Sequence, residues 1–403
     1  MDPETAGQRI ARARRRRGLS QAVLAGLVGR SESWLSQVER GQRGVDSHAV
    51  LTRLAEVLRI DIEEITSTRN GADHGQHAHP AAPLIEQAMM HYGHPGRAAG
   101  DSEPRPRRQM DHLRAMARSA YQGYQATRYD ATGQLLPQLI RGVETASRAE
   151  GAPRLSVCEV RALVYDTAAA LLNRVDEPSL AWTAADRAMT AAEYSGEPLL
   201  AALAAWRLSY IITSRKHPRE ALDVAMAAAG ALEHYMRSPS PEHLSLYGAL
   251  HLAAVTAAAA AFDRTMTPVL LEQARGIADR TGETNYMGTA FGPVNVAIHA
   301  IAASLQLGDA RTAAETGEAL DITAIPSGLV GRRTQASLDL ARAYAMRKQD
   351  AAAVNLLLAA ERLSPELVRY DRRTRDVLTE LLRREHRAST PELRPLAHRA
   401  GVI

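Results

Sequence analysis

Residues 11–43 read ARARRRRGLSQAVLAGLVGRSESWLSQVERGQR. The stretch opens with five arginines in seven positions, Arg12 and Arg14 to Arg17. Standing alone, a run that dense would be a basic tail that sticks to any polyanion. The residues after it make it the start of a folded unit, because apolar side chains recur at helical spacing. Ile10 and Ala13 share a face over 6–17, Leu24, Ala25 and Val28 mark a second helix, and Leu35 and Val38 a third. Ser20 and Ser31 stand where N-caps belong, Gly29 permits the turn between them, and Gly41 is a natural helix stop. A fourth helix is expected from about Ser47 to Arg59, with Val50, Leu51, Leu54, Ala55 and Leu58 inward. A short fifth surrounds DIEEITS, capped by Asp61.

Two short helices joined through LVGRS, the second ending VERG, make a helix-turn-helix. Residues 6–67 resemble the Cro/C1-type (XRE-family) DNA-binding domain, residue by residue at Gly18-Leu19-Ser20-Gln21, Leu24-Ala25, Gly29, Ser31, Leu35, Val38 and Glu39-Arg40-Gly41. Arg30 departs from the pattern, which usually has a small or apolar residue there; it is free to swing toward a phosphate. The resemblance implies that Arg14 faces inward and pairs with Glu39, since a charge removed from water needs a partner. Arg12, Arg15 and Arg16 then fall on the outer face, and Arg17 near the turn. It also implies a recognition helix in the major groove with its first residues at base edges. Gln21 and Ser31, near helix N-termini, suit phosphate, and Glu32, Ser33 and Gln37 map to base-reading positions. Trp34 either meets the DNA backbone or packs on the linker. Arg43 is a candidate phosphate clamp.

At 403 residues the chain is too long for one ordinary core. Its one cysteine, Cys158, allows no internal disulfide, and the net charge of +4 is modest. Neither a signal peptide nor a membrane span is expected, so the reading is a cytoplasmic, nucleoid-associated protein. From 68 to 108 composition shifts to Gly, Pro, His and Asp, the mark of a flexible linker, with a possible short helix over 83–93. The histidines of HGQHAH lack a cysteine or carboxylate cluster to complete a metal site.

Beyond Met110 the pattern is helical almost throughout and rich in alanine. Helix pairs recur: Tyr165, Ala168, Ala169 and Leu172 with Ala181, Ala185 and Ala188, then Leu208, Ser209 and Ile212 with Ala221, Ala225 and Ala228. A unit around 293–325 turns at LGDARTAAE, and the last pairs Leu340, Ala341 and Tyr344 with Ala353, Leu357 and Ala360 before Pro365. Looser units lie at 111–149 and in the alanine-rich middle. These resemble tetratricopeptide repeats over 109–385, followed by a tail at 386–403. Stacked pairs make a superhelix with a concave binding face.

The expected fold is therefore all-α: a five-helix N-terminal domain over 1–67, a linker, and an α-solenoid. No P-loop, G-x-S-x-G or H-E-x-x-H points to an enzyme or a cofactor. The oddest stretch is FGPVNVAIHA, 291–300, which sets Asn295 and His299 four apart behind a Gly-Pro turn. Asn295 either serves helix capping or offers a donor and an acceptor to a bound peptide. Asn173 and Asn285 are further amide candidates, with Arg207, Tyr210 and His299 as polar neighbours. The two-part architecture resembles bacterial peptide-sensing quorum regulators. That resemblance implies a homodimer, an operator in double-stranded DNA, and a signal peptide or small molecule in the solenoid. The alternative is a DNA-localised adaptor whose solenoid grips a protein.

Overall fold

The computed structural model describes residues 6–41, 43–45, 48–58, 79–91, 106–149 and 154–403, without side chains at 16, 48, 49 and 106–108. The chain divides into two units, Met1–His77 and Ala78–Ile403. All regular structure among the described residues is helical.

In the first unit, α1 (Ala6–Arg16), α2 (Gln21–Leu27), α3 (Glu32–Glu39) and α4 (His48–Leu58) enclose a small core. Ile10, Leu24, Leu35 and Leu54 are completely buried there. Ser20 Oγ accepts from the Val23 N–H at 3.1 Å and Ser31 Oγ from the Trp34 N–H at 3.2 Å, so both serines are the caps. Gly29 (φ +66°) and Gly41 (φ +71°) take left-handed conformations at the two turns. The fifth helix around 61–67 lies outside the described residues, as do Ser47 and Asp61.

The second unit begins inside the stretch read as linker. Helix α5 (Ala82–Met89) buries Ile85, Ala88 and Met89, and Arg187 donates to the Met89 carbonyl at 2.8 Å. The short helix expected within this stretch is thus present over Ala82–Met89 and docks on the second unit. Residues 68–78 and 92–105 of that stretch lie outside the described residues.

Six helix hairpins follow: α6 (Pro106–Gln125) with α7 (Tyr129–Arg148), α8 (Arg154–Arg174) with α9 (Pro178–Ser195), and α10 (Pro198–Ser214) with α11 (Pro218–Leu232). Then come α12 (Pro241–Ala260) with α13 (Met266–Thr281), α14 (Pro293–Gln306) with α15 (Ala310–Glu318), and α16 (Val330–Met346) with α17 (Asp350–Leu363). One backbone device turns all six. The second residue after each first helix has positive φ: Thr127, Asp176, Lys216, Phe262, Gly308 and Lys348. The next residue's N–H closes back on a carbonyl five residues earlier, as in Arg128 to Gly123, Glu177 to Leu172 and Gln349 to Tyr344. That is the Schellman stop, used six times with glycine only once.

The first helices of successive hairpins stack on one another from α6 to α16, and α16 then touches α6. The expected concave face is therefore the inner side, or lumen, of a ring-like superhelix whose first and last inner helices meet. Its seam is polar: Tyr121 donates to the Gly288 carbonyl at 2.7 Å, and Arg174 reaches Gln335 Oε1 at 3.3 Å. Helices α18 (Pro365–Tyr370), α19 (Arg372–Arg383) and α20 (Leu393–Arg399) continue past the hairpins. Tyr370 of α18 donates to Asp130 of α7 at 3.1 Å, tying the chain's last helices to the ring's first hairpin. The expected tail is folded, since Leu393, Leu396 and Ala397 are buried.

Alanine explains how inner helices bury both faces: α12 carries Ala253, Ala254, Ala257 and Ala258 all but inaccessible to solvent. Two stretches, 241–260 and 286–306, are long and apolar enough to cross a membrane, and 72% and 67% of each is buried among neighbouring helices.

Candidate functional site

In the first unit the buried face fixes the exposed one. Arg14 Nε meets Glu39 Oε1 at 2.6 Å and its Nη2 meets Oε2 at 2.9 Å, while Nη1 donates to the Leu19 carbonyl. This bidentate pair ties α1 to the end of α3. Gln21 Nε2 also donates to Glu39, at 2.7 Å, which leaves its second amide hydrogen and the helix-end N–H groups for the expected phosphate contact. Glu32 and Ser33 stand fully outward on α3, with Ser31 beside them and Gln37 half-buried one turn on. Trp34 is half-buried against its own unit's core rather than exposed, with the Arg30 guanidinium 5.7 Å from its ring centre. Arg30 and Arg43 are exposed. Arg12 and Arg15 are also exposed, and Arg17 turns back to the Val57 carbonyl.

The lumen of the second unit collects the polar side chains of its inner helices. Phe291 explains part of the placement: it is completely buried against Gly248 of α12, where a Cβ would lie 2.0 Å from its ring. With Glu283 accepting the Val294 N–H at 2.7 Å, this anchors the start of α14. One turn in, His299 Nδ1 lies 2.8 Å from the Asn295 carbonyl, so Nδ1 carries the proton. His299 Nε2 must then accept, and it takes the Tyr210 hydroxyl at 2.9 Å. Burial, helped by Arg332, lowers the His299 pKa to about 4, so the ring is neutral at pH 7. Asn295 is buried with its Oδ1 unbonded.

Around this trio the charges are unequal. Arg207 holds Asp166 through two bonds, 3.1 and 3.2 Å, and lies 4.6 Å from the Trp206 ring centre. Arg174 has one carboxylate contact, Asp371 at 3.5 Å. Arg332 has no hydrogen bond or ion pair from its side chain among the described residues, although its charge acts on Tyr124, Tyr210 and His299. Burial would raise the Tyr124 phenol, yet Arg174, Arg207 and Arg332 outweigh it and hold it below the ordinary value. Further along α16, burial pushes the Asp339 carboxyl up to about 6 against the pull of Arg373.

Of the six residues expected to hold a ligand, Asn295, His299 and Tyr210 come together, with Arg207 one turn from Tyr210. Asn285 does not join them. Its Nδ2 donates to Gln125 Oε1 at 3.0 Å and its Oδ1 accepts from the Ala290 N–H, so its amide is spent clasping the ring's seam. Asn173 accepts from Ser214 at 2.8 Å, at the C-terminal ends of α8 and α10.

A family model described as a helix-turn-helix domain matches residues 5–67. That stretch is a helix-turn-helix domain. No curated protein matches the chain. Among solved structures it is similar to PlcR of Bacillus thuringiensis, determined in complex with the peptide PapR7 and DNA. The two are 13% identical, the likeness covers 86% of this chain and 98% of that one, and the TM-score is 0.33. At that distance it carries no function across.

Sequence reasoning missed Tyr121, Tyr124, Asp166, Arg174 and Arg332, all on inner helices outside the helix-turn-helix domain. A signal existed. On α16, Arg332, Gln335, Asp339 and Arg342 follow one another at helical spacing, a polar stripe on an element otherwise built to be buried.

Proposed function

We propose that the protein is a DNA-binding transcription regulator. Its helix-turn-helix domain reads an operator, and its ring domain binds a signal ligand, a peptide or a small molecule, in the lumen. The observation that carries the reading is the outward face of α3, where Glu32 and Ser33 are solvent-exposed at a capped helix start and Gln37 follows one turn on. Gln pairs with adenine in a bidentate way and Glu accepts from cytosine. Arg30, Arg43, Ser31 and the helix N-termini near Gln21 suit phosphates. Trp34 braces the helix, with Arg30 stacked on it. The protein acts as a cytoplasmic homodimer, because two such helices must reach half-sites about 34 Å apart. Repeats of tetratricopeptide type build the ring. Ligand binding on the inner side of the ring is supported by Asn295, a buried amide whose Oδ1 accepts no hydrogen bond among the described residues and which suits a polar partner.

The test is selection of duplexes from random DNA by the full chain. One enriched motif with two half-sites is expected, and no enrichment overturns the reading. Gln37→Ala and Ser33→Ala should each relax the selected sequence by about 1–3 kcal/mol of discrimination. Arg43→Ala should weaken all sequences alike and flatten the salt dependence by about one ion. Mass spectrometry of the native protein identifies what co-purifies in the lumen, and a tightly held protein there favours an adaptor instead. Light scattering gives the oligomeric state.

A further inference from the structure

The first described residue of the ring domain is His79, and its side chain is buried, with 1% of the residue exposed. Its Nδ1 accepts from the Ala81 N–H at 3.2 Å, just ahead of α5, so the ring's proton sits on Nε2. Nε2 lies 3.1 Å from Asp130 Oδ1 of α7 but off the line of its N–H, so Asp130 meets it as a charge rather than through a formed hydrogen bond. The Tyr370 hydroxyl of α18 donates to the same carboxylate oxygen at 3.1 Å, and the His79 and Tyr370 rings lie 4.8 Å apart. Glu366 of α18 accepts from the Asp130 N–H at 2.8 Å. Gly133 of α7 makes the seat: a Cβ there would lie 2.6 Å from the Ala81 Cβ and 2.8 Å from His79 Cε1. Beyond it α5 packs on α7 with Ile85, Ala88 and Met89 buried, and Arg187 of α9 holds the far end through the Met89 carbonyl.

This hold depends on one protonation state. An imidazolium carries protons on both nitrogens, so its Nδ1–H would face the Ala81 N–H, donor against donor. Burial disfavours the charged ring and Arg369 of α18 adds to that, while Asp130 favours it. Burial wins, because the Asp130 side chain is 48% exposed and water screens its charge; His79 therefore titrates below an ordinary histidine. The Tyr370 phenol, pushed up to about 12 by burial and by Asp130, stays a donor throughout. Glu86 is the strap's other titratable side chain, and the charges that act on His79 are those of Asp130 and Arg369.

We infer that residues 79–89 form an acid-released strap, seated on α7 while His79 Nδ1 accepts from Ala81 and released when that nitrogen takes a proton. An undocked His79 is an ordinary histidine, so the undocked form gains its proton first as pH falls through about 6.5. Docking is therefore complete above that pH and weakens as pH falls toward the lower value of the docked ring. The chain that leads back to the helix-turn-helix domain starts from this strap, so release lengthens the covalent connection between the two domains.

The experiment is hydrogen exchange on the full chain between about pH 8 and pH 5, read as protection factors so that the intrinsic pH dependence of exchange is removed. Protection over 79–89 should fall below about pH 6.5, by no more than tenfold per unit, the slope of a single proton, while α8 and α12 stay protected. His79→Asn offers Oδ1 as an acceptor for the Ala81 N–H and does not titrate here, so its strap should show one level of protection throughout. Asp130→Asn keeps an acceptor for Tyr370 and withdraws the charge that favours the protonated ring, so the fall should become deeper. If His79→Asn leaves the strap unprotected at every pH, the imidazole is needed for seating itself and the depth in Asp130→Asn decides. A flat wild-type profile, a fall that persists in His79→Asn, or an unchanged or shallower fall in Asp130→Asn each overturns the inference. Loss of protection in α8 and α12 along with the strap overturns it too, since acid would then be opening the whole ring.

Discussion

The two units put their polar residues on opposite sides of their cores. The helix-turn-helix domain spends one internal ion pair, Arg14 with Glu39, to hold α3 in place, and keeps its candidate contact residues outside. The ring domain does the reverse. Its outer helices are ordinary, and its Arg207, Asp166, His299, Asn295 and Asp339 are buried inside. A surface reader can lose an exposed residue and still fold. An internal site ties binding to stability, because each polar group there has given up water.

The largest expected effect tests that tie. Asp166→Ala leaves the Arg207 guanidinium buried without its acid, both side chains being less than a tenth exposed. Breaking such a pair costs about 3–5 kcal/mol, so the urea midpoint of the ring's transition should fall sharply. Arg207→Met with Asp166→Leu, which removes both charges, should recover most of the loss. If the single variant unfolds no earlier than wild type, the lumen is wetter than its geometry indicates.

Acidity sharpens the contrast inside the ring. His299 titrates near 4 when folded and at about 6.5 when unfolded, so the unfolded chain binds the extra proton between those values. Its contribution is therefore present above pH 6.5 and lost as pH falls toward 4. Asp339, raised to about 6, has the opposite sign: its contribution is full below about pH 4 and lost as pH rises through 6. Each is worth about 3 kcal/mol across its window. Relative to wild type, His299→Gln should lose stability as pH rises from 4 to 6, and Asp339→Asn should gain it. Urea midpoints measured in half-unit steps decide this, and slopes of the same sign break the assignment.

In the first unit the effect is smaller, because the ion pair lies closer to water. Arg14→Ala should cost about 1–3 kcal/mol, seen as faster hydrogen exchange in α1 and α3, whereas the exposed Arg15→Ala should change little. Equal exchange in the two variants would mean that the pair does not hold α3.

The same contrast explains what could be read from the sequence. The first unit was legible because its caps and turns use the residue types that such positions favour: Ser20, Gly29, Ser31 and Gly41. The pairing of Arg14 with Glu39 and the outward face of α3 were implied by the resemblance to the Cro/C1-type domain rather than by those caps and turns. What could not be read was the use of Gln21 as a second donor to Glu39, since a polar side chain at a helix start has several partners within reach. In the ring, the helix pairs were legible through alanine spacing, but closure was not. Closure depends on contacts such as Tyr121 with Gly288 and Tyr370 with Asp130, far apart in the chain. Arg332 was invisible for a related reason: whether an arginine is paired depends on which helices face it.

The repeat was harder to see at its turns because five of the six left-handed positions carry side chains. Only Gly308, in LGDARTAAE, advertises its conformation. This gives the last and smallest test, one that compares two equivalent places in the ring. Phe262 sits at φ +59° and is 63% exposed, so its side chain gains little from packing. An L-residue held there costs about 1–2 kcal/mol. Glycine would remove that cost and add about 0.5–1 kcal/mol of unfolded-state entropy. Phe262→Gly should therefore stabilise the ring by roughly 0.5–1 kcal/mol. Gly308 occupies the equivalent position at φ +85°, and a Cβ added there meets nothing within 4 Å. Gly308→Ala isolates the backbone term, and it should destabilise by a similar amount with no steric contribution. Opposite shifts in the urea midpoint are the expected result. If both substitutions move it in the same direction, the six turns are not energetically equivalent, and the hairpins share a shape without sharing a cause.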